Sequence, residues 1–440
     1  MKKIIKVMLM LSMLLTITGC KQENFFEKVK EVTELPIVYV NTVNNEPINK
    51  VEKENKDAEF RIEYTDGTSL ELLKDEQGNY PMTIKGRGNS SWGMPTTKKP
   101  YNIKFEEKQD LFGFGAAKKW SLIAGWFDTS FVRSYIGYKL AGTLDETTPD
   151  CEMVELVVNG VYEGVYMLCE AYGINKNRVE TKDDGQDING DGEITEYLIE
   201  ADVRAEEYNE PLRFTIDNNY WMVVKEPDED DITSLTDERY TYVSEHFQKV
   251  NDAIMSLDNY QQYIDVDSLA SQYVINEYLK NPDWGFGNQP YYASTFMYME
   301  EGGKIYFGPF WDCDISMGRV NYSEIESEGY RKTNDPEGFL AKQTHWINKL
   351  MEDTSFVSLV EAKWEILKTE VETMINTTAP EMMDKIALVQ EYDFKAHKES
   401  AKKRTVDWVY RVPLAFEDEC QYVLDFMKTR LTWMDEQYGK

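Results

Sequence analysis

The chain has 440 residues, 42% of them hydrophobic, so it is long enough to bury a sizeable core and to form two or more lobes. Its 48 Lys and Arg residues against 79 Asp and Glu residues give a formal charge of -31, which repels a phosphate backbone. Nucleic acid is therefore excluded as an expected partner. Divalent cations and basic polypeptides suit such an excess of carboxylates, and an acidic surface that serves only solubility is the alternative.

The first twenty residues have the pattern of a bacterial signal peptide. A short cationic segment, "MKKIIK", precedes "VMLMLSMLLTIT", an apolar run too short to span a bilayer comfortably. It ends in "ITGC", which resembles a lipobox, in which the cysteine is lipidated and becomes the first mature residue. Residues 1–20 are thus predicted to place the protein outside the cytoplasm, with Cys20 anchoring it to the cell membrane. An ordinary secretory signal that happens to end in cysteine is the alternative.

Beyond the signal, the composition predicts a tether and then an α+β fold of two parts. Residues 21–58 are polar and charged with little periodicity, which indicates a tether. Residues 59–226 are rich in alternating runs typical of strands, and "VELVVNGVYEGVYML" carries an "NG" turn signal between two such runs. Residues 227–440 change to a helical period, interrupted by one hairpin turning at two glycines. Four further cysteines without metal-type spacing indicate no disulfide framework and at most one bridge, and we expect them to be small buried residues.

Two stretches of the β-rich part are candidates for phosphate binding. In "KGRGNSSW", residues 85–92, small residues free backbone N–H groups to approach phosphate oxygens, and Arg87 can grip such oxygens bidentately. Ser90 and Ser91 belong to the same turn, which matches neither known glycine-rich phosphate pattern. In "TKKPYNIKF", strand alternation puts Lys99 on the inward face, where a lysine needs an anion. The alternatives are a plain hairpin turn and a solvated lysine.

The stretch "DINGDGEITEYL", residues 187–198, begins like a calcium loop. Oxygens at alternate positions can wrap one ion, and the glycine allows a sharp turn, so the candidate ligands are Asp187, Asn189, Asp191 and Glu196. The last position of such a loop is normally a bidentate Glu but is Leu198 here. The sequence leaves open a structural Ca²⁺ site or an acidic hairpin tip.

Two acidic stretches of the C-terminal part are candidates for catalysis. In "NPDWGFGN", Asp283 and Asn288 lie five positions apart on a glycine-containing loop, the spacing at which phosphoryl transfer uses a proton-accepting Asp and a metal-binding Asn. In "GPFWDCDISMG", strand alternation would put Asp312 and Asp314 on one face of an apolar run. Two carboxylates in such a setting are costly unless a cation such as Mg²⁺ or Mn²⁺ compensates them. The alternative is a pair of turn caps.

Taken in order, these stretches resemble the CotH family of atypical secreted protein kinases, first known from spore coats. The resemblance covers most of the chain from about residue 58 onward. It rests on the following series: "KGRGNSSW", "KKPYNIKF", "KKWSLIAGWFDTSFVRSYIGYKLA", "VELVVNGVYEGVYMLCE", "NRV", "YLIEAD", "VKEPD", "INEYLKNPD" and "GPFWDCDISMG".

The resemblance implies a divergent kinase-like fold with a β-rich N-lobe and a helical C-lobe, which uses ATP with a divalent metal to phosphorylate Ser or Thr of proteins. It implies that Asp283 is the catalytic aspartate, that Asn288, Asp312 and Asp314 hold the metal, and that Arg87 and Lys99 face the nucleotide phosphates. Glu170 and Glu200 match acidic positions of the family pattern without an assigned role. Cys313 replaces the usual Phe between the two metal acids.

The sequence therefore predicts a membrane-anchored, extracytoplasmic, metal-dependent Ser/Thr kinase acting on a protein substrate, which we expect to be basic and rich in Ser and Thr. One alternative is a catalytically silent, calcium-stabilised binding or scaffold module of the same fold. Another is a metal-dependent phosphohydrolase, which would use similar acids to activate water.

Overall fold

The computed structural model of the protein describes residues 26–48, 54–88, 90–93, 96–175, 178–181, 196–227, 238–287, 292–300, 302–320, 333–398 and 414–439. In this part of the chain, strands dominate before residue 227 and helices dominate after it. The predicted α+β class, with a β-rich N-terminal part and a helical C-terminal part, is confirmed. The signal peptide and Cys20 lie outside the described residues.

Seven strands close into a barrel, and an eighth is added to its side. The strands are β1 (Ile37–Thr42), β2 (Lys56–Glu63), β3 (Ser69–Leu72), β4 (Met82–Gly86), β5 (Tyr101–Asp110), β6 (Ala116–Ile123), β7 (Cys151–Val158) and β8 (Val161–Glu170). Their order is β1-β7-β8-β6-β5-β4-β2, with β1 also paired to β2, and β3 lies against β2. The predicted "NG" hairpin is confirmed, since β7 and β8 pair antiparallel around Asn159 and Gly160, which both have positive φ.

Alternation along the barrel strands sorts their side chains between the inside and the outside. In β4, Met82 and Ile84 are buried inside the barrel, whereas Thr83 and Lys85 point outward. The same alternation holds at the start of β5. The outer face of β4, β5 and β6 therefore carries polar side chains, and this face is the one that borders the cleft described below.

The prediction that residues 21–58 form a tether is wrong for the described part of that segment. Residues 26–32 are helical (α1), and Val29 is fully buried. Strand β1 then pairs parallel with β7, Ile37 to Val40 against Glu155 to Val158, and antiparallel with β2, so it closes the barrel. The short run "PIVYV" gave little periodicity because it is buried on both sides at its start.

A second sheet joins the two parts of the chain that the sequence had separated at residue 226. Its strands are β9 (Tyr197–Ala201), β10 (Arg213–Ile216), β11 (Tyr220–Glu226), β12 (Thr295–Met299) and β13 (Ile305–Phe307), in the order β10-β11-β9-β12-β13. Strands β12 and β13 are the hairpin predicted to turn at Gly302 and Gly303, and they pair across a turn that contains both.

The helices after α1 are α2 (Ser90–Gly93), α3 (Arg133–Ala141), α4 (Glu238–Ser256), α5 (Val266–Leu279), α6 (His345–Leu350), α7 (Thr354–Thr373), α8 (Ala379–Ala387), α9 (Gln390–Ala396) and α10 (Phe416–Tyr438). Helix α5 is buried on all sides from Leu269 to its end, and its N-terminus is capped by Asp265, which accepts a hydrogen bond from the Ser268 N–H at 2.8 Å. A buried central helix gives the loop that follows it a rigid support.

Two smaller predictions concern the membrane and the cysteines. Within the described ranges, no helix is both long and apolar enough to cross a membrane. Cys151, Cys169, Cys313 and Cys420 are all buried and free, as expected for small core residues.

Candidate active site

A cleft of about 740 Å³ lies between the outer face of the barrel and the second sheet. The structure brings five of the predicted site residues to its walls: Arg87, Ser91, Asp283, Asp312 and Asp314. These residues come from a stretch of more than 220 positions, so their convergence is a property of the fold and not of local sequence. The side chain of Ser90 and the whole of Asn288 lie outside the described residues, and their assignments stay predictions.

The turn after β4 presents Arg87 to the cleft. The Trp92 indole lies directly against Gly86, where a Cβ would overlap the ring, so the turn can fold this tightly only with glycine there. Gly88 has a φ of 76°, a left-handed conformation that favours glycine. The Arg87 guanidinium lies 5.5 Å from the centre of the Trp311 ring, a cation–π distance that holds it across the cleft.

The structure does not bring Lys99 to the cleft, which corrects its prediction as a phosphate contact. Lys99 lies before β5 begins, and its ammonium donates to the main-chain carbonyl of Trp92 and lies 5.5 Å from the centre of the Trp92 ring. Within the described residues, the inward lysine thus meets a carbonyl oxygen and an aromatic face. Its neighbour Lys98 is fully buried and paired with Asp393 of α9. Both lysines stabilise the approach to β5.

Asp283 is held by its own backbone in the loop after α5. Its N–H donates to the Asn281 side-chain oxygen at 3.2 Å, and its carbonyl accepts from the Ala293 N–H at 2.8 Å. The Asn281 amide in turn donates to the carbonyl of Asp312 at 3.1 Å, which ties this loop to the second acidic segment. The Asp283 Oδ1 atom is buried and has no hydrogen-bond partner among the described residues. A fixed backbone therefore supports an unsatisfied carboxyl oxygen at the wall of the cleft.

The segment that carries Asp312 and Asp314 is not a strand, which corrects the sequence-based expectation. It is irregular and then forms turns after β13, and Asp312 has a φ of 52°. The neighbouring Trp311, Cys313 and Ile315 are buried, and both acids line the cleft. The left-handed backbone at Asp312, rather than strand alternation, lets the carboxylates share one side.

The three acids repel one another in this cleft. Burial and the charge of Asp312 raise the pKa of Asp283 to about 8, although Arg204 opposes the rise. Burial raises the pKa of Asp312 against the opposing charges of Arg87 and Arg204, even though its exposed surface opens into the cleft. Burial, followed by the charges of Asp312 and Asp283, holds the pKa of Asp314 well above its usual range. A cation among the three would relieve this repulsion.

The carboxylates of the cleft fit a metal ion only in part. Across the described ranges, no group of three or more His, Cys, Asp or Glu side chains is arranged to hold a metal ion by protein ligands alone. Asp312 and Asp314 offer hard carboxylate oxygens, which suit a Mg²⁺ ion that takes its remaining ligands from phosphates and water.

The calcium prediction falls mostly outside what the structure describes. Asp187, Asn189 and Asp191 are not among the described residues, whereas Glu196 is buried just before β9. The calcium loop therefore stays a prediction.

Sequence reasoning missed the charged side chains on the two faces of the cleft. Lys85, Lys104 and Lys119 line it from the barrel, and Arg204 and Lys225 line it from the second sheet. Alternation along β4 and β5 predicts an outward position for Lys85 and Lys104, so this signal was present in the sequence. No local pattern marks Arg204, which lies in a turn after β9.

Two glutamates of the family pattern differ in position. Glu200 lines the cleft and pairs with Lys225 at 3.4 Å, and burial raises its pKa to about 7. Glu170 ends β8, is nearly fully buried and pairs with Arg178 at 3.3 Å. Only Glu200 is therefore available to a ligand in the cleft.

A family model described as "CotH kinase protein" matches residues 84–434, which is well over half of the chain. The matched range contains Arg87, Asp283, Asp312 and Asp314. No curated protein matches the chain.

Proposed function

Since the chain belongs to the CotH kinase protein family, we propose that it is an atypical protein kinase that transfers the γ-phosphoryl group of ATP to a Ser or Thr hydroxyl. The proposal includes a divalent metal, Mg²⁺ or Mn²⁺, a two-lobe kinase-like arrangement with the nucleotide between the lobes, and a lipid anchor at Cys20 outside the cytoplasm.

The observation that carries the proposal is the convergence on one cleft of three carboxylates that form no ion pair within the described residues. Asp283, whose buried Oδ1 atom has no hydrogen-bond partner in the described part of the chain, lines the same cleft as Asp312 and Asp314. Phosphoryl transfer needs a carboxylate to accept the proton of the attacking hydroxyl and others to hold the metal. The main chain of Asp283 is hydrogen-bonded at both its N–H and its carbonyl, so we assign Asp283 the role of accepting the hydroxyl proton. We assign metal binding to Asp312 and Asp314.

The electrostatics support a cation between these acids. Bound there, Mg²⁺ would neutralise the charge that develops on the transferred phosphoryl group. Its charge would also cancel that of Asp312, which is the second largest cause of the raised pKa of Asp283. The pKa of Asp283, which burial would still raise, would then fall toward the neutral range in which the carboxylate can accept the hydroxyl proton.

The barrel side of the cleft supports nucleotide binding. Arg87 reaches across to Trp311, and Lys85, Lys104 and Lys119 line the same face. A row of cations opposite a pair of metal-binding acids suits a chain of phosphates, which carries negative charge along its length and a metal at one end.

The opposite side of the cleft supports a basic protein substrate. Four acids line it: Glu200, Asp202, Glu210 and Glu226. Each of the four has a cation within 4 Å, but among the described residues only three cations serve them, namely Arg204, Lys225 and Lys119, so a net negative charge remains. A peptide with Lys or Arg near its Ser or Thr would meet an acidic rim.

The direct test incubates the full-length protein with γ-labelled ATP and Mg²⁺ or Mn²⁺, alone and with a basic, Ser-rich protein. We expect label on protein, and we expect Asp283→Asn and Asp312→Asn to abolish it while Asp384→Asn, an exposed acid of α8, retains it. Label recovered only as free phosphate would indicate a phosphohydrolase. No transfer in any arm would favour a scaffold module.

The anchor has its own test. Cells that express the protein are supplied with a clickable fatty acid, and we expect the wild type to carry it and Cys20→Ser to lack it. An unlabelled wild-type protein would remove the lipid anchor from the proposal without affecting the kinase assignment.

A further inference from the structure

Cys151 and Cys169 face each other across the β7–β8 hairpin. The register of the hairpin pairs the two residues directly. Both side chains are fully buried in the same hydrophobic core, and both thiols are free in the structure. Residues directly opposite each other in an antiparallel pair point to the same face of the sheet, so the two side chains are neighbours.

Hydrogen bonds on the two outer sides of the hairpin show which kind of pair this is. The N–H of Ala171, just after β8, donates to a main-chain carbonyl of β6 at 3.0 Å, so the main chain of Cys169, two positions earlier, also faces β6. The N–H of Glu155 donates at 2.8 Å to the carbonyl of the residue before β1, so the main chain of Cys151, four positions earlier, faces away from β8. Cys151 and Cys169 are therefore a non-hydrogen-bonded pair, in which the two Cα atoms lie about 4.5 Å apart.

This arrangement matches the geometry of a disulfide. Disulfides join cysteines whose Cα atoms lie about 4.4–6.8 Å apart and whose side chains face each other. The separation typical of a non-hydrogen-bonded pair falls at the short end of that range. A bond between Cys151 and Cys169 therefore fits the hairpin without a change of register.

The two thiols can meet an oxidant only before the barrel closes. Neither side chain has exposed surface in the folded protein. Burial also raises the pKa of Cys151 to about 12 and holds the pKa of Cys169 well above its usual range, whereas the thiolate is the form that reacts. A bond between them has to form during folding, while the hairpin is still accessible.

We propose that Cys151 and Cys169 are joined by a disulfide in the exported protein, formed while the β7–β8 hairpin folds outside the cytoplasm. The inference goes beyond the proposed kinase function and takes from it only the proposed location, where disulfides persist.

The oxidant belongs to the class of thiol–disulfide exchange partners, such as glutathione disulfide. One cysteine attacks the disulfide of the oxidant as a thiolate and forms a mixed disulfide, and the second cysteine attacks the sulfur of the first to close the bond. Two electrons pass to the oxidant. Its two sulfur atoms leave as thiolates and take up the two protons that the cysteines lose.

The bond would stabilise the strand that leads into the cleft. Ala171 and Tyr172 follow directly after β8 and line the cleft, and the Tyr172 ring meets the Trp311 ring edge-on at 5.1 Å. A link at Cys169 restricts the unfolded chain and so favours the folded hairpin from which these residues extend.

Peptide mapping of the full-length protein, isolated from the membrane fraction of cells and alkylated in denaturant without reductant, tests the pairing. No Lys or Arg lies between the two cysteines, so trypsin leaves both in one peptide. Cleavage after Glu gives "TTPDCE" and "GVYMLCE", residues 147–152 and 164–170. We expect these two as one linked species that separates on reduction, while Cys313 and Cys420 are alkylated in the same digest as internal controls.

Refolding tests the pairing independently of export. The full-length protein is unfolded and reduced in urea and then refolded with glutathione and glutathione disulfide, and we expect the same linked species. Protein refolded without an oxidant should unfold at a lower urea concentration, and glutathione disulfide added after this refolding should not form the bond.

Two variants show whether this pair causes the difference. The combined Cys151→Ala and Cys169→Ala variant should unfold at the same urea concentration whether or not the oxidant was present during refolding. Cys420→Ala is the matched control, because Cys420 is also buried but lies in α10, and it should keep the difference shown by the wild type.

The remaining outcomes overturn the inference. Alkylated Cys151 and Cys169 in the protein isolated from the membrane would show that the bond is not made in cells, even if refolding produces it. A link from either residue to Cys313 or Cys420 would show that the pairing is wrong. Phosphoryl transfer is measured separately with labelled ATP, so neither result removes the kinase proposal, and a protein without transfer can still carry the bond.

Discussion

The protein holds carboxylates in two regions in opposite ways. In the helical part, each buried acid meets a cation: Glu277 pairs with Arg430 at 2.6 Å, and Glu419 pairs with Arg133 at 2.8 Å. Where α9 meets the barrel, Asp393 pairs with Lys98. In the cleft, by contrast, none of the described Lys, Arg or His side chains forms an ion pair with the three acids of the candidate site: Asp283, Asp312 and Asp314.

The paired acids stabilise the fold, whereas the three acids of the candidate site are the ones to which we assign binding and catalysis. A buried pair fixes two elements relative to each other, and removing one partner leaves an uncompensated charge. An unpaired acid destabilises the fold slightly and is tolerated where a cation or a proton will meet it. The two regions should therefore respond oppositely to substitution.

The largest expected effect is on activity in the cleft. Asp283→Asn should lower phosphoryl transfer about a thousandfold, because the loss of a general base typically costs two to four orders of magnitude. Its free energy of unfolding should stay equal or rise, since the substitution removes a repelled carboxyl. Transfer of labelled phosphate and urea denaturation measure the two quantities. If Asp283→Asn unfolds more easily and still transfers phosphate, Asp283 stabilises the fold and is not a catalytic residue.

The next largest effect is on stability in the helical part. Arg430→Met should lower the free energy of unfolding by about 3 kcal/mol or more, because Glu277 would remain buried without its cation. Urea denaturation checks this value. Lys395→Met is the control, since its ion pair with Glu391 is exposed on both sides and should change stability by less than about 1 kcal/mol. Equal losses of unfolding free energy in the two variants would show that the buried Glu277–Arg430 pair contributes no more to stability than an exposed pair.

Glu155 is an intermediate case, because it is buried and hydrogen-bonded but forms no ion pair within the described residues. Burial raises its pKa to about 7, although Tyr162 and Thr33 donate to it at 2.5 and 3.0 Å. The folded state then binds the proton more tightly than the unfolded state, so its contribution to stability falls as the pH rises from about 4 to about 7.

This contribution can be isolated by substitution. Glu155→Gln should flatten the decline in stability between pH 5 and pH 8 by roughly 2 kcal/mol, measured by urea denaturation at each pH. An unchanged slope would mean that Glu155 is ionised in the folded protein throughout this range.

The smallest expected effect is the response of the cleft to its ligand. Mg²⁺ with AMP-PNP at ten times its dissociation constant should stabilise the wild type by about 1.4 kcal/mol. The combined Asp312→Asn and Asp314→Asn variant should show no such shift in melting temperature, because it lacks the carboxylate oxygens that we propose hold the cation. The same shift in the variant would place the metal elsewhere.

The sequence predicts those features that depend on neighbouring residues. The "NG" hairpin, the turn at Gly302 and Gly303, and the candidate acids were all found from local patterns, because turn chemistry and residue type are local properties. The class of the fold followed from the change of period. The family resemblance then connected motifs that local reasoning treats separately.

What the sequence could not give depends on tertiary contacts. Lys99 was expected to meet an anion but meets the carbonyl of Trp92, which no alternation rule predicts. Asp312 reaches the cleft through a left-handed backbone and not through a strand. Strand β1 pairs with β7 more than 110 positions later, so its role becomes visible only when the barrel is closed.

The closure of the barrel by β1 has a practical consequence for shortened versions of the protein. A truncation that begins at residue 40, inside β1, would leave one edge of β2 and one edge of β7 with unpaired N–H and C=O groups. Open strand edges of this kind recruit strands from other molecules and lead to aggregation. Soluble fragments for crystallography should therefore begin before residue 26, so that α1 and the whole of β1 are retained.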